Sequence, residues 1–164
     1  MILTQQQLND SLVALLNVRK VCPPYMQDFL NDMYNTGCRP SELTTLNKWR
    51  YFDSNYYELL PSKKNEPRYI PRIKMSSTLV ALLENNNAKY CGLFERKMNY
   101  FFNMYYQYSK VTCGNKDISL YLFRHNYVKL LFQESNSESY VTKHMGWNNA
   151  AMASKYIYSI INYF

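Results

Sequence analysis

The chain has 164 residues, a length typical of one domain, and 47% of them are hydrophobic, which is enough for a buried core. Its 19 lysines and arginines and 12 acidic residues give a formal charge of +7, which favours a polyanionic partner such as nucleic acid. No stretch approaches the roughly 20 apolar residues of a membrane-spanning helix, and no signal peptide is recognisable, so we expect an intracellular, cytoplasmic protein without a membrane anchor.

The first predicted element is a helix within residues 2–18, where leucines recur on one helical face. Thr4 is the expected N-cap residue, and Gln7 stands at the capping-box position. A second helix is predicted over residues 23–37. There a Pro-Pro entry is followed by apolar residues at helical spacing and then by Gly37, a typical C-terminal glycine.

A short third helix is predicted directly after Arg39. Pro40 suits its first turn, and Ser41 and Glu42 are available to its free amides. Arg39 is therefore expected at a tight joint between two helices.

The residue pattern then changes to one typical of strands. Residues 50–61 and 67–75 are short segments rich in tyrosine, phenylalanine and isoleucine, and a polar, lysine-rich segment at 62–66 separates them. This pattern predicts an antiparallel hairpin or meander with a basic tip.

Helical spacing returns in the second half of the chain. Helices are predicted in residues 76–87, 93–110 and 118–133, near Ser139–His144, and in a closing segment that contains Tyr156, with a turn at 146–149. The sequence therefore predicts an α+β fold, mostly α-helical with a small antiparallel β-sheet, in one domain that spans residues 1–164.

The cysteines and histidines do not form a metal-binding pattern. No two cysteines are spaced as C-x-x-C, and the chain has 2 histidines. The residues concerned are Cys22, Cys38, Cys91, Cys113, His125 and His144. A zinc site would need ligands from distant parts of the chain, so we expect no metal and free, mostly buried thiols.

Arg124 stands in the middle of the apolar segment SLYLFRHNYVKLL, at residues 119–131. Burying an arginine without a partner is costly. Arg124 is therefore expected either to pair with a carboxylate or to line a cleft that binds an anion. The general rule that buried charges are paired favours the first interpretation, and the second stays open.

Four short motifs follow one another along the chain. Arg39 stands in the first, Thr-Gly-Cys-Arg-Pro-Ser-Glu-Leu, at residues 36–43. In the second, Lys63 is followed five residues later by Arg68, and Pro71 comes three residues after that. Single short motifs recur by chance, whereas several in a fixed order with fixed internal spacing carry weight.

In the third motif Tyr121 stands three positions before Arg124, and His125 follows at once. In the fourth, a Met-Gly pair precedes Trp147, and Tyr156 comes nine residues after that tryptophan. Together the four motifs resemble the catalytic domain of the tyrosine recombinases, the phage integrase family, over nearly the whole chain. The chain departs from the family pattern at Tyr121, where the family usually has a histidine.

This resemblance implies the tyrosine recombinase catalytic-domain fold and a site-specific DNA recombinase or integrase. Such an enzyme cleaves and rejoins DNA through a 3′-phosphotyrosyl intermediate and needs no metal or other cofactor. The catalytic residues implied are Arg39, Lys63, Tyr121, Arg124, Trp147 and Tyr156. The supporting residues implied are Glu42 and His125, and the DNA-binding residues implied are Lys64 and Arg68.

These residue types suit the chemistry that the resemblance implies. Guanidinium groups such as Arg39 and Arg124 can hold the nonbridging oxygens of a phosphodiester bidentately. Tyr156 would be the nucleophile, and Lys63 would protonate the departing 5′ oxygen as general acid. Trp147 can only donate a hydrogen bond, which suits a contact to a phosphate oxygen.

Two of these assignments have rivals in the chain. Tyr158 lies two residues after Tyr156, and Lys64 adjoins Lys63 at the predicted basic tip. Motif spacing favours Tyr156 as the nucleophile, and it favours Lys63 as the general acid.

Double-stranded DNA is the partner that the resemblance implies. Family members normally carry an N-terminal core-binding domain that is not in this chain, so we expect a monomer in isolation and a synaptic tetramer on DNA when the protein is full length. Two alternatives remain: a type IB topoisomerase-like enzyme, and a noncatalytic DNA-binding regulator on the same scaffold. Tyr121 is the feature that favours the regulator.

Overall fold

A computed structural model describes residues 3–4, 6, 9, 12–13, 20, 24–61, 65–85, 121–157 and 160–161. In these ranges the chain forms a mostly helical α+β structure with a small three-stranded antiparallel sheet, as predicted. The described residues contain no helix that is long and apolar enough to cross a membrane.

Between residues 24 and 157 the described elements follow the chain in the predicted order, whereas the two short strands at residues 3–4 and 160–161 were not predicted. The helices are α1 (Pro24–Thr36), α2 (Pro40–Thr44), α3 (Ser77–Asn85), α4 (Tyr121–Ser135), α5 (Glu138–His144) and α6 (Ala150–Ile157). The strands are β1 (Leu3–Thr4), β2 (Trp49–Tyr51), β3 (Tyr56–Leu59), β4 (Arg68–Pro71) and β5 (Ile160–Ile161). The predicted helix at 93–110 and the predicted basic tip at 62–64 lie outside the described residues.

The joint between α1 and α2 has the predicted form. Gly37 follows α1 with a φ of 68°, a left-handed conformation that favours glycine, and its N–H donates to the Met33 carbonyl at 3.0 Å. Arg39 is the N-cap residue of α2, and Pro40 is the first residue of that helix. Only Gly37 and Cys38 separate Arg39 from the end of α1, so the arginine is held at a sharp turn.

Strands β2, β3 and β4 form an antiparallel meander in that order. The segment 50–61 contains most of two strands because Asp53 turns the chain between them: its carboxylate accepts hydrogen bonds from the N–H groups of Asn55 at 2.7 Å and Tyr56 at 2.8 Å. The register pairs Glu58 with Tyr69, and this face of the sheet is turned away from the core.

The beginning of the chain differs from the prediction. Thr4, predicted as an N-cap residue, lies in β1 and pairs with Ile161 of β5 in a parallel ladder. A β-branched threonine is well suited to this extended backbone. Helical backbone is described at residues 6, 9, 12, 13 and 20, of which the first four lie in the predicted helical segment.

Helix α4 connects two hydrophobic clusters. Phe123 belongs to the cluster that α1, α2, the sheet and α3 form, whereas Tyr127 and Val128 belong to the cluster of α4, α5 and α6. Arg124 lies between these residues on the same helix. The apolar segment around Arg124 is therefore explained by a helix that is buried on more than one side.

Asp32 is a buried carboxylate that joins α1 to the start of α3. Its two oxygens accept hydrogen bonds from the backbone N–H of Ser76 at 2.6 Å and from the Ser76 hydroxyl at 2.7 Å. The same hydroxyl accepts from the Leu79 N–H at 3.1 Å, so Ser76 caps α3. Burial raises the pKa of Asp32 to about 6 and outweighs the opposing effect of the Ser76 hydrogen bonds.

We expect Asp32 to make the protein less stable as the pH rises from 4 to 7. The folded state retains the Asp32 proton up to about pH 6, whereas the unfolded chain loses it near 3.8. At Asp32 the folded state therefore binds more protons in this window, and the Asp32 contribution to the free energy of unfolding should fall by up to about 3 kcal/mol. His125 and His144, whose pKa values burial lowers to about 4, act in the opposite direction over the same range, so the contribution of Asp32 is measured as a difference between two proteins. In urea denaturation the wild type should lose stability, from pH 4 to 7, relative to Asp32→Asn, which keeps an acceptor and gains a donor for Ser76. Asp53→Asn, a partly exposed control, should have the pH dependence of the wild type, and an identical pH dependence in all three proteins would refute the assignment.

Candidate active site

Arg124 is 3% exposed and is held by the joint between α1 and α2. Its Nη1 donates to the Gly37 carbonyl at 2.9 Å and lies 3.4 Å from Oε1 of Glu42. Burial is the largest influence on the pKa of Arg124 and lowers it; the charge of Arg68 acts in the same direction, whereas Glu42 opposes them. The predicted carboxylate partner is therefore present, and one side of the guanidinium is occupied by it.

Glu42 links the two arginines of the predicted site. Its Oε1 accepts a hydrogen bond from the backbone N–H of Arg39 at 2.7 Å and also faces Arg124. The Glu42 carbonyl accepts from the indole N–H of Trp49 at 2.7 Å, which ties this first turn to the sheet. Glu42 thus fixes the start of α2, from which the Arg39 side chain projects, and the position of the Arg124 head group.

Trp147 and Tyr156 stack against each other beside Arg124. Helix α5 ends at His144, and Gly146 then adopts a φ of 72°. This turn places the Trp147 ring 5.2 Å from the Tyr156 ring, at an interplanar angle of 19°. The Arg124 Cζ lies 5.7 Å from the Trp147 ring and 5.9 Å from the Tyr156 ring, which are cation–π distances. Residues from α4, from the turn and from α6 therefore meet at one place.

A small cleft opens at this meeting point. It has about 20 Å³ of free space, and its polar lining comes from Arg39, Glu42, Asn65, Glu66, Arg68, Arg124 and Trp147. That volume accommodates roughly one water-sized group. Two buried donors, Nε of Arg124 and Nε1 of Trp147, have no hydrogen-bond partner within the described part of the chain. Because an unmade hydrogen bond at a buried donor costs about 1–3 kcal/mol, both donors favour an acceptor in the cleft.

His125 packs on Tyr156, with 4.6 Å between the ring centroids. It is partly buried, and this burial, with smaller effects of nearby positive charges that include Arg124, lowers the pKa of His125 to about 4. His125 is therefore neutral at pH 7. The imidazole contributes packing and hydrogen-bonding capacity next to the tyrosine, without a positive charge.

Arg68, a predicted DNA-binding residue, lies in the wall of the cleft. It is 4% exposed, and its Nη2 donates to the Thr36 carbonyl at 2.6 Å while Nε donates to the His144 carbonyl at 3.3 Å. These bonds tie β4 to the ends of α1 and α5, so the structure gives Arg68 a role in positioning the cleft walls. Arg68 stands two residues before Ile70 in β4, so both side chains lie on the same, inward face of the strand; this spacing is the sequence signal for the burial.

Four predicted side chains are not placed by these contacts. Lys63, Lys64 and Tyr158 lie outside the described residues, and Tyr121 is described only as the first backbone position of α4. The Gly37 carbonyl, by contrast, was missed as a site group, because Gly37 was interpreted only as the end of a helix. Within the described ranges, no cluster of histidine, cysteine and acidic residues could hold a metal ion.

Known proteins give no independent assignment of this site. No protein-family model matches the chain, and neither does any curated protein or solved structure. A function for the cleft must therefore follow from its residues and their geometry.

Proposed function

We propose that this chain is the catalytic domain of a tyrosine recombinase that cleaves and rejoins double-stranded DNA. The observation that carries the proposal is the pair of buried donors, Arg124 Nε and Trp147 Nε1, in a cleft that Arg39 also lines. The Tyr156 ring lies beside both donor side chains. Donors without acceptors, with a positive charge and an adjacent phenol, suit a phosphodiester and a tyrosine nucleophile.

The arginines would act on the charge of the reacting phosphate. In-line attack concentrates negative charge on the nonbridging oxygens, and donors fixed in advance around them stabilise the transition state. Gly37 and Glu42 fix Arg124 through Nη1, and its Nε has no hydrogen-bond partner among the described residues. Trp147 would add one neutral donor.

The proposed reaction conserves the phosphodiester bond energy. The Tyr156 oxygen attacks phosphorus and releases its proton to water, the bond from phosphorus to the 5′ oxygen breaks, and that oxygen gains a proton. Lys63 is the expected proton donor by its place in the second motif. Attack by a 5′ hydroxyl on the phosphotyrosyl ester reverses these steps and rejoins the strand, so neither ATP nor a metal ion is required.

The same proposal defines the partners. The formal charge of +7 favours the DNA backbone through counterion release, so affinity should fall as salt rises. In this proposal the chain is a monomer in isolation, takes part in a synaptic tetramer on DNA, and acts in the cytoplasm.

Covalent trapping tests the proposal directly. The protein is incubated with a pool of duplexes of varied sequence that carry 5′-bridging phosphorothiolates, whose cleavage releases a thiol that rejoins poorly. Trapped DNA is sequenced to find the site, and peptide mass spectrometry locates the adduct. An adduct on Tyr156 is expected; an adduct on Tyr158 instead would move the nucleophile, and DNA binding without any adduct would overturn the enzymatic proposal.

A noncatalytic DNA-binding regulator is the second candidate. It is favoured by the burial of Tyr156, which is 8% exposed and packs against both Trp147 and His125. This candidate predicts DNA binding that weakens as salt rises, without formation of an adduct. If an adduct forms, relaxation of supercoiled DNA without recombination of paired sites by the full-length protein would instead favour a type IB topoisomerase-like enzyme.

A further inference from the structure

A second, larger groove of about 670 Å³ lies next to the cleft, between the outer face of the sheet and helix α5. Four aromatic side chains line it: Phe52, Tyr56, Tyr69 and Tyr140. Each of them is between 39% and 52% exposed. Aromatic rings exposed together in a concave site offer flat surfaces for stacking.

The groove is also positively charged. Lys74 and Lys143 line it, and no described carboxylate does. The salt bridges found among the described residues involve neither lysine. Burial, with the nearby charges of Arg68 and Lys74, lowers the pKa of His144 to about 4, so at pH 7 the groove charge comes from the lysines alone.

The rings are held in place by their neighbours. Phe52 and Tyr69 lie 4.8 Å apart across the outer face of the sheet, and Tyr140 stacks on His144 at 5.9 Å. The His144 ring is fixed in turn by the Tyr127 hydroxyl, 2.7 Å from Nε2. Both walls of the groove are therefore anchored to the core.

The groove and the cleft share their walls. In β4, Arg68 lines the cleft and the next residue, Tyr69, lines the groove. At the end of α5, His144 lines the groove and Met145 lines the cleft. Because Arg68 faces the core whereas Tyr69 lies on the outer face of the sheet, the groove opens on the other side of this wall from the cleft.

We infer that this groove stacks an unpaired base of a DNA strand. The inference rests on the proposed function for the identity of the ligand. Aromatic rings combined with lysines are the features by which proteins hold single strands without reading their sequence, because every base has a flat face and every nucleotide a phosphate. An acidic peptide would use the lysines but would leave four exposed rings without a matching surface.

Fluorescence anisotropy with two strands of equal length tests the inference. One strand is a short oligothymidylate, and the other is fully abasic with the same number of phosphates. The wild type should bind the base-bearing strand more tightly. Tyr69→Ala and Tyr140→Ala should each weaken that binding roughly 5- to 150-fold and leave binding of the abasic strand nearly unchanged.

The matched controls retain or spare the rings. Tyr69→Phe and Tyr140→Phe keep the stacking surface and should bind the oligothymidylate as the wild type does. Tyr51→Ala removes a tyrosine that is 65% exposed but lies outside the groove, and it should have no effect. Thermal melting should show that all five variants are folded.

Equal affinity of the wild type for the two strands, or unchanged binding in both alanine variants, would overturn the inference. A glutamate-rich peptide that binds as tightly as the oligothymidylate and is lost in the same variants would also overturn it, in favour of an acidic protein segment. Covalent trapping is scored separately from this assay. If an adduct forms but the protein has no base preference, the stacking inference fails and the enzymatic proposal stands. If a ring-dependent base preference is found without an adduct, the stacking inference stands and the enzymatic proposal fails.

Discussion

Replacing Arg124 with lysine should slow formation of the covalent DNA adduct by roughly 10²–10³-fold. Lysine retains a positive charge but lacks the planar fork of the guanidinium. Arg124 uses Nη1 for the Gly37 carbonyl and Glu42 while its Nε is left for the cleft. A single ammonium at the end of a flexible chain cannot make both sets of contacts in the same directions.

Single-turnover measurement of adduct formation on the trapped DNA site is the appropriate assay. Arg72→Lys is the matched control, because Arg72 is paired with Glu84 at 2.6 Å and does not line the cleft. We expect its rate to stay within about threefold of the wild type, since exposed ion pairs contribute little. Thermal melting separates loss of fold from loss of chemistry. A folded Arg124→Lys variant with a nearly normal rate would remove Arg124 from the proposed mechanism.

Replacing Gly146 with alanine should reduce the free energy of unfolding by about 2–5 kcal/mol, as the sum of two costs. The first is the left-handed backbone, with a φ of 72°. The second is steric, because an added Cβ would collide with the Glu66 carbonyl oxygen and would lie 2.9 Å from Cγ of Arg68. The N–H of Glu66 also donates to the Gly146 carbonyl at 2.7 Å, so the two segments cannot separate freely.

Asn136→Ala separates the two costs. Asn136 also has a positive φ, 48°, but it is exposed. The alanine there should cost only about 1 kcal/mol. Urea denaturation of both variants measures the difference, and equal losses of stability would show that Glu66 and Arg68 move away from Gly146 easily. If the loss is larger for Gly146→Ala, that variant should also displace Trp147 and lower the rate of adduct formation.

The order of elements was predictable because local signals determine it. Gly37, Pro40 and the alternation in the strands act through the backbone of a few neighbouring residues. Thr4 was assigned incorrectly because it lies in β1 and pairs with Ile161 of β5, at the other end of the chain. No local pattern contains that pairing.

The site was predictable only as a set of residues. Motif order singled out Arg39, Arg124, Trp147 and Tyr156, and the structure brings them to one cleft or into ring contact beside it. The contacts of Arg124 with a backbone carbonyl and with Glu42 depend on how α4 crosses the α1–α2 joint, which spacing along the chain does not specify. For the same reason the hydrogen bonds from Arg68 to the Thr36 and His144 carbonyls could not be predicted.

Helix α4 has one more consequence, for the order in which the molecule matures on the ribosome. Arg39 and Arg68 emerge well before Trp147 and Tyr156, and among the described elements α4 supplies Phe123 for the earlier cluster and Tyr127 for the later one. Until α4 has docked, the early half of the cleft has positive charge but neither the indole nor the phenol. In the proposed function, a nascent chain can therefore attract DNA but cannot cut it, and strand cleavage is withheld from every incomplete copy of the protein.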